Sequence, residues 1–513
     1  MAFSLPLINA DIYYQDDLGH SLGNPKSWLH DGRPLAYGLM CLLGPLWPVD
    51  SGPWPQVLGL FMVALTIGKL GQNLNIRTMP FVLSFAFLIC QPFYLENLSY
   101  RYDSFFMSLS ICFALMPFIT PNTQGLMSRK TLRDAACLFL LMNAYQAAIN
   151  IFFCFSFIEA GLMIGKRRNS AIVYTILCRL MTFVLAYGVY KVEELLFVNV
   201  NEYAQLHAAI IRSPAQFHDS LLVLLGKLKE CFWGGVYESL LVAFIAVALV
   251  IGMRRSMAGA GSRRAALGNA AMAGLCALCI LSCFFGLQIL LRYPVLAPRT
   301  FIGFGGILTA ASLVVLAGRD FRTFTDKVCF VLVGFLLCQG IFQAASYANA
   351  IRAQTELREH LAEQVIEDIS DLTRHAVRPE PNIAHKYWLW GTIGHEPLAP
   401  LAKRAYTYYP SLDDTIMSEA FIDRYTVSPI FMYDIMRRDN LPDSVDFLPW
   451  RLWEYKTRYR SSPAWQKIEQ AIHQCSFDGM KEHADFNTYK IGRYIITDYT
   501  RSCSRGAVIT TEM

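Results

Sequence analysis

The chain has 513 residues, 54% of them hydrophobic, 13% aromatic and 17% charged, whereas soluble domains carry roughly a quarter charged residues. A net charge of +5 is too small to suggest a nucleic-acid partner, and no Gly-rich phosphate loop or dinucleotide fingerprint is present. The shortage of charge is uneven: residues 34–350 hold long apolar runs, and residues 351–513 have the composition of an ordinary aqueous domain.

Residues 1–53 form the first section. It opens with "MAFSLPLIN", too short to span and without a basic flank, followed by the carboxylate-rich stretch "DIYYQDDLGHSLGNPKSWLHDGRP". A spanning helix upstream of this stretch is expected, because the topology below places the stretch outside. Segment 34–48 is apolar but broken by Pro34, Pro45 and Pro48, and it is expected to lie at the membrane surface.

Spans are expected at 54–70, 80–96, 103–119, 133–145, 147–165, 171–197, 236–253, 267–291, 300–318 and 327–349, about ten in all. This makes residues 54–350 an all-α, polytopic membrane domain. Basic residues follow every second span: Lys69 and Arg77; Arg129, Lys130 and Arg133; Lys166, Arg167 and Arg168; Arg254, Arg255, Arg263 and Arg264; Arg319, Arg322 and Lys327. Cytoplasmic loops collect Lys and Arg, so the intervening loops face outward, as does the domain at 351–513. That domain is expected to be mainly α and extracytoplasmic, led by a helix over 351–373.

Charges near a bilayer are costly and mark candidate functional residues. The outward loops supply Asp16, Asp17, Asp31 and Arg33; Glu96, Arg101 and Asp103; Tyr145 and Gln146; Arg292 and Arg299. A carboxylate can take the proton of an incoming hydroxyl, and the planar fork of an arginine suits a lipid phosphate. Asp16 and Asp17 are adjacent, so their side chains diverge; one is expected to enter the site while the other orients the loop. The simpler readings are a solvated turn for the Asp pair, an N-cap for Asp103, an interfacial anchor for each arginine, and an interhelical hydrogen-bond pair for Tyr145–Gln146.

Within the membrane, Glu159, Arg179, Lys191, Glu193 and Glu194 are the candidate charges, and the sequence suggests no buried charge pairs among them. Twelve of the fourteen cysteines lie in or beside apolar runs as packing residues, while Cys475 and Cys503 sit in the last domain and can pair if it faces an oxidising compartment. No metal-ligand spacing is legible and no cofactor is expected, although the outer carboxylates have the oxygen chemistry of a divalent-cation site.

"DIYYQDDLGHSLGNPKSWLHDGRPLAYGLM", "PFYLENLSYRYDSFFMSLS", "NAYQAAINIFFCFSF", "APRTFIG" and "QGIFQAASYANAIRAQTE", in this order and spacing, resemble the Gtr-type glucosyltransferase II family of bacterial, phage-associated O-antigen-modifying enzymes. The resemblance covers most of the chain to about residue 375. It implies a GT-C-like fold in the bacterial cytoplasmic (inner) membrane, with the last domain periplasmic. It further implies an inverting transfer of glucose from a polyprenyl-phosphate donor to O-antigen lipopolysaccharide.

Carried over residue by residue, the resemblance makes Asp16, then Asp17, the base for the acceptor hydroxyl. Arg33, Arg101, Arg292 or Arg299 would then hold the donor phosphate, and Asp31, Asp103, Tyr145 and Gln146 would line the site. His20 stands where the family pattern has an arginine, which weakens a phosphate contact there.

Three other readings compete. One keeps the chemistry but changes the sugar, or uses a wall polymer as acceptor. Another is a flippase for lipid-linked sugars, which would string polar residues through the membrane rather than along one face. The third is a polysaccharide-binding scaffold using the aromatics of "HKYWLWG" and "YTYYP".

Overall fold

The computed structural model describes residues 2–15, 17–22, 27–43, 50–74, 78–120, 127–198, 202–258, 260, 262–319, 321–374, 387–393, 396–412, 435–436, 438–439, 441, 445–447 and 463–503. Two compact units emerge. The first comprises Met1–Asp17, Gly23–Asn349 and Ala405–Ile416; the second comprises Leu18–Leu22, Ala350–Arg404 and Met417–Met513.

The helices of the first part of the chain are α1 (Leu5–Ala10), α2 (Asp17–Leu22), α3 (Ser27–His30), α4 (Pro34–Leu43), α5 (Trp54–Leu74), α6 (Thr78–Ala86), α7 (Tyr94–Ser99) and α8 (Asp103–Leu115). They continue with α9 (Arg129–Ala144), α10 (Ile149–Met163), α11 (Asn169–Phe197), α12 (Glu202–His207), α13 (Pro214–Phe232), α14 (Val236–Met257), α15 (Arg263–Ser282), α16 (Gly303–Leu316) and α17 (Phe324–Thr373). Local chemistry sets several starts. Ser128 caps α9 in a reciprocal pair with Thr131, and the Ser213 and Ser262 hydroxyls accept the N–H of Gln216 and Ala265 to open α13 and α15.

Among the described residues, six helical segments, built on α5, α10, α11, α14, α15 and α17, are long and apolar enough to cross a membrane. Their outer surfaces leave Leu177, Leu180, Val184, Val242, Val250, Val331 and Phe335 exposed, a pattern suited to lipid rather than water. The chain is therefore built as a mostly helical, polytopic membrane protein.

The predicted spans at 103–119, 133–145 and 300–318 correspond to the shorter helices α8, α9 and α16. The predicted span at 80–96 is corrected: α6 ends at Ala86 and α7 begins at Tyr94. Pro92 cannot donate to a helical ladder, and the Gln91 side chain caps the break by accepting the N–H of Phe93 at 2.9 Å. Phe93 then fills a cluster with Phe232, Phe284, Phe301 and Phe304, at ring-centroid distances of 5.3–6.0 Å. The start of α16 approaches its neighbours through glycine. A Cβ at Gly303 would stand 2.1 Å from Cys283 O, and one at Gly306 would stand 2.8 Å from Cys154 Sγ.

The expectation of no buried charge pairs is also corrected. Arg179 on α11 donates to Glu159 of α10 at 2.9 and 3.1 Å and to Asp134 of α9 at 3.2 Å, and Asp134 also pairs with Lys130. Arg179 and Asp134 are each 2% exposed. Glu159 and Arg179 are separated by 20 positions in sequence, so no local pattern announces their meeting.

The second unit holds, beside its helices, a sheet that the expectation of a mainly α domain did not include. Besides the end of α17, α18 (Pro400–Tyr408) as far as Arg404, and α19 (Pro463–His473), it contains β1 (Tyr387–Ile393), β2 (Val445–Phe447), β3 (Gly479–Glu482), β4 (Asn487–Ile491) and β5 (Tyr494–Asp498). The strands form one sheet in the order β2-β1-β5-β4-β3, with β1 parallel to β2 and β5 and the β3–β4 and β4–β5 pairs antiparallel. Alternation in "NTYKIGRYIIT" and Gly492 at φ +61° make the β4–β5 hairpin.

Asp368 on α17 is buried and accepts from Thr488 Oγ1 at 2.6 Å, with His483 Nε2 at 2.8 Å. Ile468 of α19 packs on Tyr489, Ile491 and Ile496. Cys475 and Cys503 form a disulfide. "HKYWLWG" supplies most of β1, whereas Tyr406, Tyr408 and Tyr409 of "YTYYP" belong to the first unit.

Candidate functional site

The starts of α5, α8, α10 and α16 and the ends of α9 and α11 bring distant loops together at one end of the first unit. The circuit begins at the N-terminal stretch. Asp11 and Gln15 adopt left-handed backbone conformations at φ 49°, unusual for residues with a Cβ, and they bend the segment so that Tyr13, Tyr14 and Asp17 meet residues 100–102.

The Arg101 guanidinium lies 4.5 Å from the Tyr13 ring centroid and pairs with Asp11 at 2.6 Å and Asp50 at 3.2 Å. Tyr13 donates its hydroxyl to Asp50 at 2.6 Å, and the Gly52 N–H reaches the same carboxylate at 3.0 Å. A Cβ at Gly52 would come within 2.8 Å of Arg101 Nε, so a side chain there would have to displace the guanidinium from Asp50.

Burial alone would raise the Asp50 carboxyl. The bonds from Tyr13 and Gly52 and the charge of Arg101 outweigh it and hold the group below its ordinary range. Burial, then Asp50, pushes the Tyr13 phenol up to about 12. Burial opposes the charge on Arg101, but Asp11 and Asp50 prevail and hold it more firmly protonated.

Asp17 is fully buried. Its Oδ2 accepts the backbone N–H of Tyr14 at 3.1 Å and of Arg101 at 2.8 Å, and its Oδ1 accepts that of Tyr102 at 3.4 Å. This carboxylate ties the two loops together. Asp16 lies outside the described residues.

Trp28 is buried and donates its indole N–H to Asp103 Oδ1 at 2.8 Å, at the first turn of α8, where a carboxylate suits the helix dipole. Glu96, fully buried, receives Arg299 twice at 2.6 Å, once from its backbone N–H and once from Nη1. Burial works against the charge on Arg299, and Tyr100 and Glu96 overcome it and raise its affinity for the proton. Tyr145 donates its hydroxyl to Arg299 O at 2.9 Å.

Arg33 completes the circuit. Its guanidinium lies 5.2 Å from the Tyr145 ring centroid. The carbonyl of the preceding Gly32 accepts from Tyr190 OH at 3.2 Å and from Gln146 Nε2 at 3.4 Å. Burial opposes the charge of Arg33, but Asp103 and then Asp31 raise its proton affinity. Among the described residues this guanidinium forms no hydrogen bond or ion pair, and its buried Nε has no partner. The fork of Arg101 is occupied by two aspartates and that of Arg299 by Glu96, so Arg33 is the arginine of this circuit without an ion-pair partner among the described residues.

Of the residues singled out from sequence, the structure thus joins Asp17, Arg33, Arg101, Asp103, Tyr145, Gln146 and Arg299, with Asp31 acting on Arg33 through charge. Arg292 stands apart: it is exposed, lies 4.9 Å from the ring centroid of Tyr293, and donates its backbone N–H to Ala209 O at 2.8 Å. Sequence reasoning overlooked Asp50, Tyr13, Trp28 and Tyr190. Trp28 was the most accessible of these, because a buried indole N–H needs an acceptor.

Residues 5–310 match the family described as Glucosyl transferase GtrII. The chain is also 26% identical over 439 residues to a Salmonella phage P22 protein named "Uncharacterized 55.3 kDa protein in gtrB 5'region", a match covering 81% of this chain and 84% of that protein. No solved structure matches. The family match takes in more than half of the chain and every residue of the circuit, so the chain belongs to the GtrII glucosyl transferase family and is a glycosyltransferase.

Proposed function

We propose that this enzyme transfers glucose from a polyprenyl-phosphate-glucose donor to O-antigen at the outer face of the bacterial inner membrane, with inversion at the anomeric carbon. Asp16 takes the proton of the acceptor hydroxyl as its oxygen bonds to that carbon. The bond from the same carbon to the phosphate oxygen breaks, and the electron pair leaves with the polyprenyl phosphate. Arg33 holds that phosphate. Asp17 positions the loop carrying Asp16, while the Glu96–Arg299 pair and Tyr145 hold the opposite wall. Asp31, Asp103 and Gln146 line the pocket.

The observation that carries this reading is Arg33: a half-buried guanidinium whose buried Nε has no partner among the described residues, beside a ring of loops held by ion pairs. Such a group is costly to leave alone and well suited to a phosphate. The Cys475–Cys503 disulfide supports an oxidising compartment for the second unit, as a periplasmic location would provide.

Membranes containing the enzyme and a polyprenyl-phosphate-glucose supply test the proposal. Asp16→Asn abolishes glucose addition to O-antigen, and Arg33→Gln raises the donor KM at least about tenfold, the equivalent of one lost charge-assisted bond. An active Asp16→Asn variant refutes the base assignment. An unchanged donor KM in Arg33→Gln refutes the phosphate assignment.

A further inference from the structure

A cavity of about 360 Å³ lies at the end of the first unit away from the loop circuit, with apolar walls from Leu70, Phe118, Phe155 and Leu313 and two charged lining residues, Glu159 and Arg319. Leu70 is near the end of α5, Glu159 and Leu162 near the end of α10, and Leu316 ends α16, whereas the circuit gathers at the starts of those helices. Leu162, Ala317 and Gly318 also line the cavity and are exposed, so they form its mouth. The volume is about that of a dozen waters, enough for most of one acyl chain, and lies within the range of about 300–1,000 Å³ typical of small-molecule sites.

Cations outnumber carboxylates around it. Arg179 donates to both oxygens of Glu159, at 2.9 and 3.1 Å, and to Asp134 at 3.2 Å. Asp134 also pairs with Lys130 and with Arg133, whose side chain is 55% exposed. Three cations therefore meet two carboxylates on this side. On the other side Arg319 pairs with Asp326 at 2.9 Å and donates Nε to Val315 O at 2.7 Å, which leaves its Nη2 without a partner among the described residues. Arg255 of α14 is exposed, donates Nη1 to the neighbouring Val314 O, and has no ion pair among the described residues. Two guanidinia thus converge on the last turn of α16. Segment 319–327 adds Arg322 and Lys327, and even with Asp320, which lies outside the described residues, its cations exceed its carboxylates.

We infer that this cavity binds an anionic phospholipid of the surrounding bilayer, with one acyl chain among the leucines and phenylalanines and the phosphate at Arg319 and Arg255. The apolar walls call for the chain, since a dry void forfeits dispersion contacts that a hydrocarbon restores. The surplus of cations calls for an anion: unbalanced charge beside a bilayer is expensive, and a basic pocket between membrane helices suits an acidic head group. Glu159 does not oppose this, because Arg179 neutralises it through both oxygens. A zwitterionic phospholipid fits the walls but leaves the surplus unmet. A polyprenyl phosphate has the right charge, but the cavity holds only a small part of its tail. The inference rests on the membrane fold and not on the proposed transfer reaction.

Native mass spectrometry of the full chain in mild detergent tests it, with phosphatidylglycerol, phosphatidylethanolamine and a polyprenyl phosphate each titrated in. The wild type retains one phosphatidylglycerol at least about tenfold more tightly than phosphatidylethanolamine, as the surplus of cations implies. Arg255→Gln, at an exposed position, weakens phosphatidylglycerol about fivefold, the worth of one basic side chain beside an acidic lipid, and leaves phosphatidylethanolamine unchanged. Leu162→Trp combined with Ala317→Trp obstructs the mouth and abolishes retention, while continued glucosyl transfer shows the bundle intact. Four outcomes overturn the inference: no phosphatidylglycerol retained by the wild type, phosphatidylethanolamine or polyprenyl phosphate held as tightly, an unchanged phosphatidylglycerol affinity in Arg255→Gln, or full retention in the obstructed variant. If the obstructed variant does not fold, the lipid ranking and Arg255→Gln decide the matter alone.

Discussion

Replacing Asp17 with asparagine separates a positioning carboxylate from a reacting one. Oδ2 of Asp17 accepts from Tyr14 N and Arg101 N, and Oδ1 accepts from Tyr102 N, all in a fully buried place. Asparagine has one accepting oxygen. Turned toward Tyr14 and Arg101 it keeps two bonds but loses their charge assistance, about 1 kcal/mol each. Its amide group then faces the Tyr102 N–H, and that orphaned donor costs about 1 kcal/mol more.

The expected loss for Asp17→Asn is therefore about 3 kcal/mol, and Asp17→Ala, which strips all three donors, loses about 3–6 kcal/mol. Equilibrium unfolding of the purified chain in mild detergent measures this, with glucosyl transfer assayed on the same samples. Asp16→Asn is expected to keep its stability and lose transfer. Asp17→Asn is expected to lose stability and retain reduced transfer once folded. If Asp17→Asn is as stable as the wild type to within about 0.5 kcal/mol but transfers nothing, Asp17 reacts directly and the division of labour proposed here is wrong.

Other perturbations probe the remaining joints. Glu96→Gln leaves the Arg299 guanidinium without its buried counter-charge and should destabilise by about 3 kcal/mol. Adding Arg299→Met should recover part of this, and strictly additive losses in a double-mutant cycle would argue against the clamp. Asp50 has a lowered folded-state pKa, so its stabilising contribution is present above the unfolded value of about 3.9 and disappears as pH falls through the folded value. Acid unfolding curves of the wild type should show this limb, and Asp50→Asn should flatten it. Replacing Cys475 and Cys503 by serine opens a loop of sequence separation 28 and should destabilise the second unit by about 3–4 kcal/mol. Protease susceptibility of residues 463–503 with and without reductant reads this out.

Composition and hydropathy determine the class of this protein. A run of apolar segments this long can be buried only in lipid or against other helices, so α5, α10, α11, α14 and the start of α17 were legible from their residues alone. The residue types of the site were legible too, because charge beside a membrane is expensive and is retained where it acts. Pairing was not legible.

Whether an arginine is structural or open depends on which carboxylate reaches it across tens or hundreds of positions: Asp11 and Asp50 for Arg101, Glu96 for Arg299, and none among the described residues for Arg33. The same holds for Arg179, whose partners Glu159 and Asp134 come from two other helices. The sheet of the second unit escaped notice because β1 pairs in parallel with β5 across about a hundred residues, and no local pattern records so remote a partner. Local sequence sets what each segment can bury and which charges it carries. Only the tertiary structure decides which charges neutralise one another, and therefore which one is left without a counter-charge among the described residues.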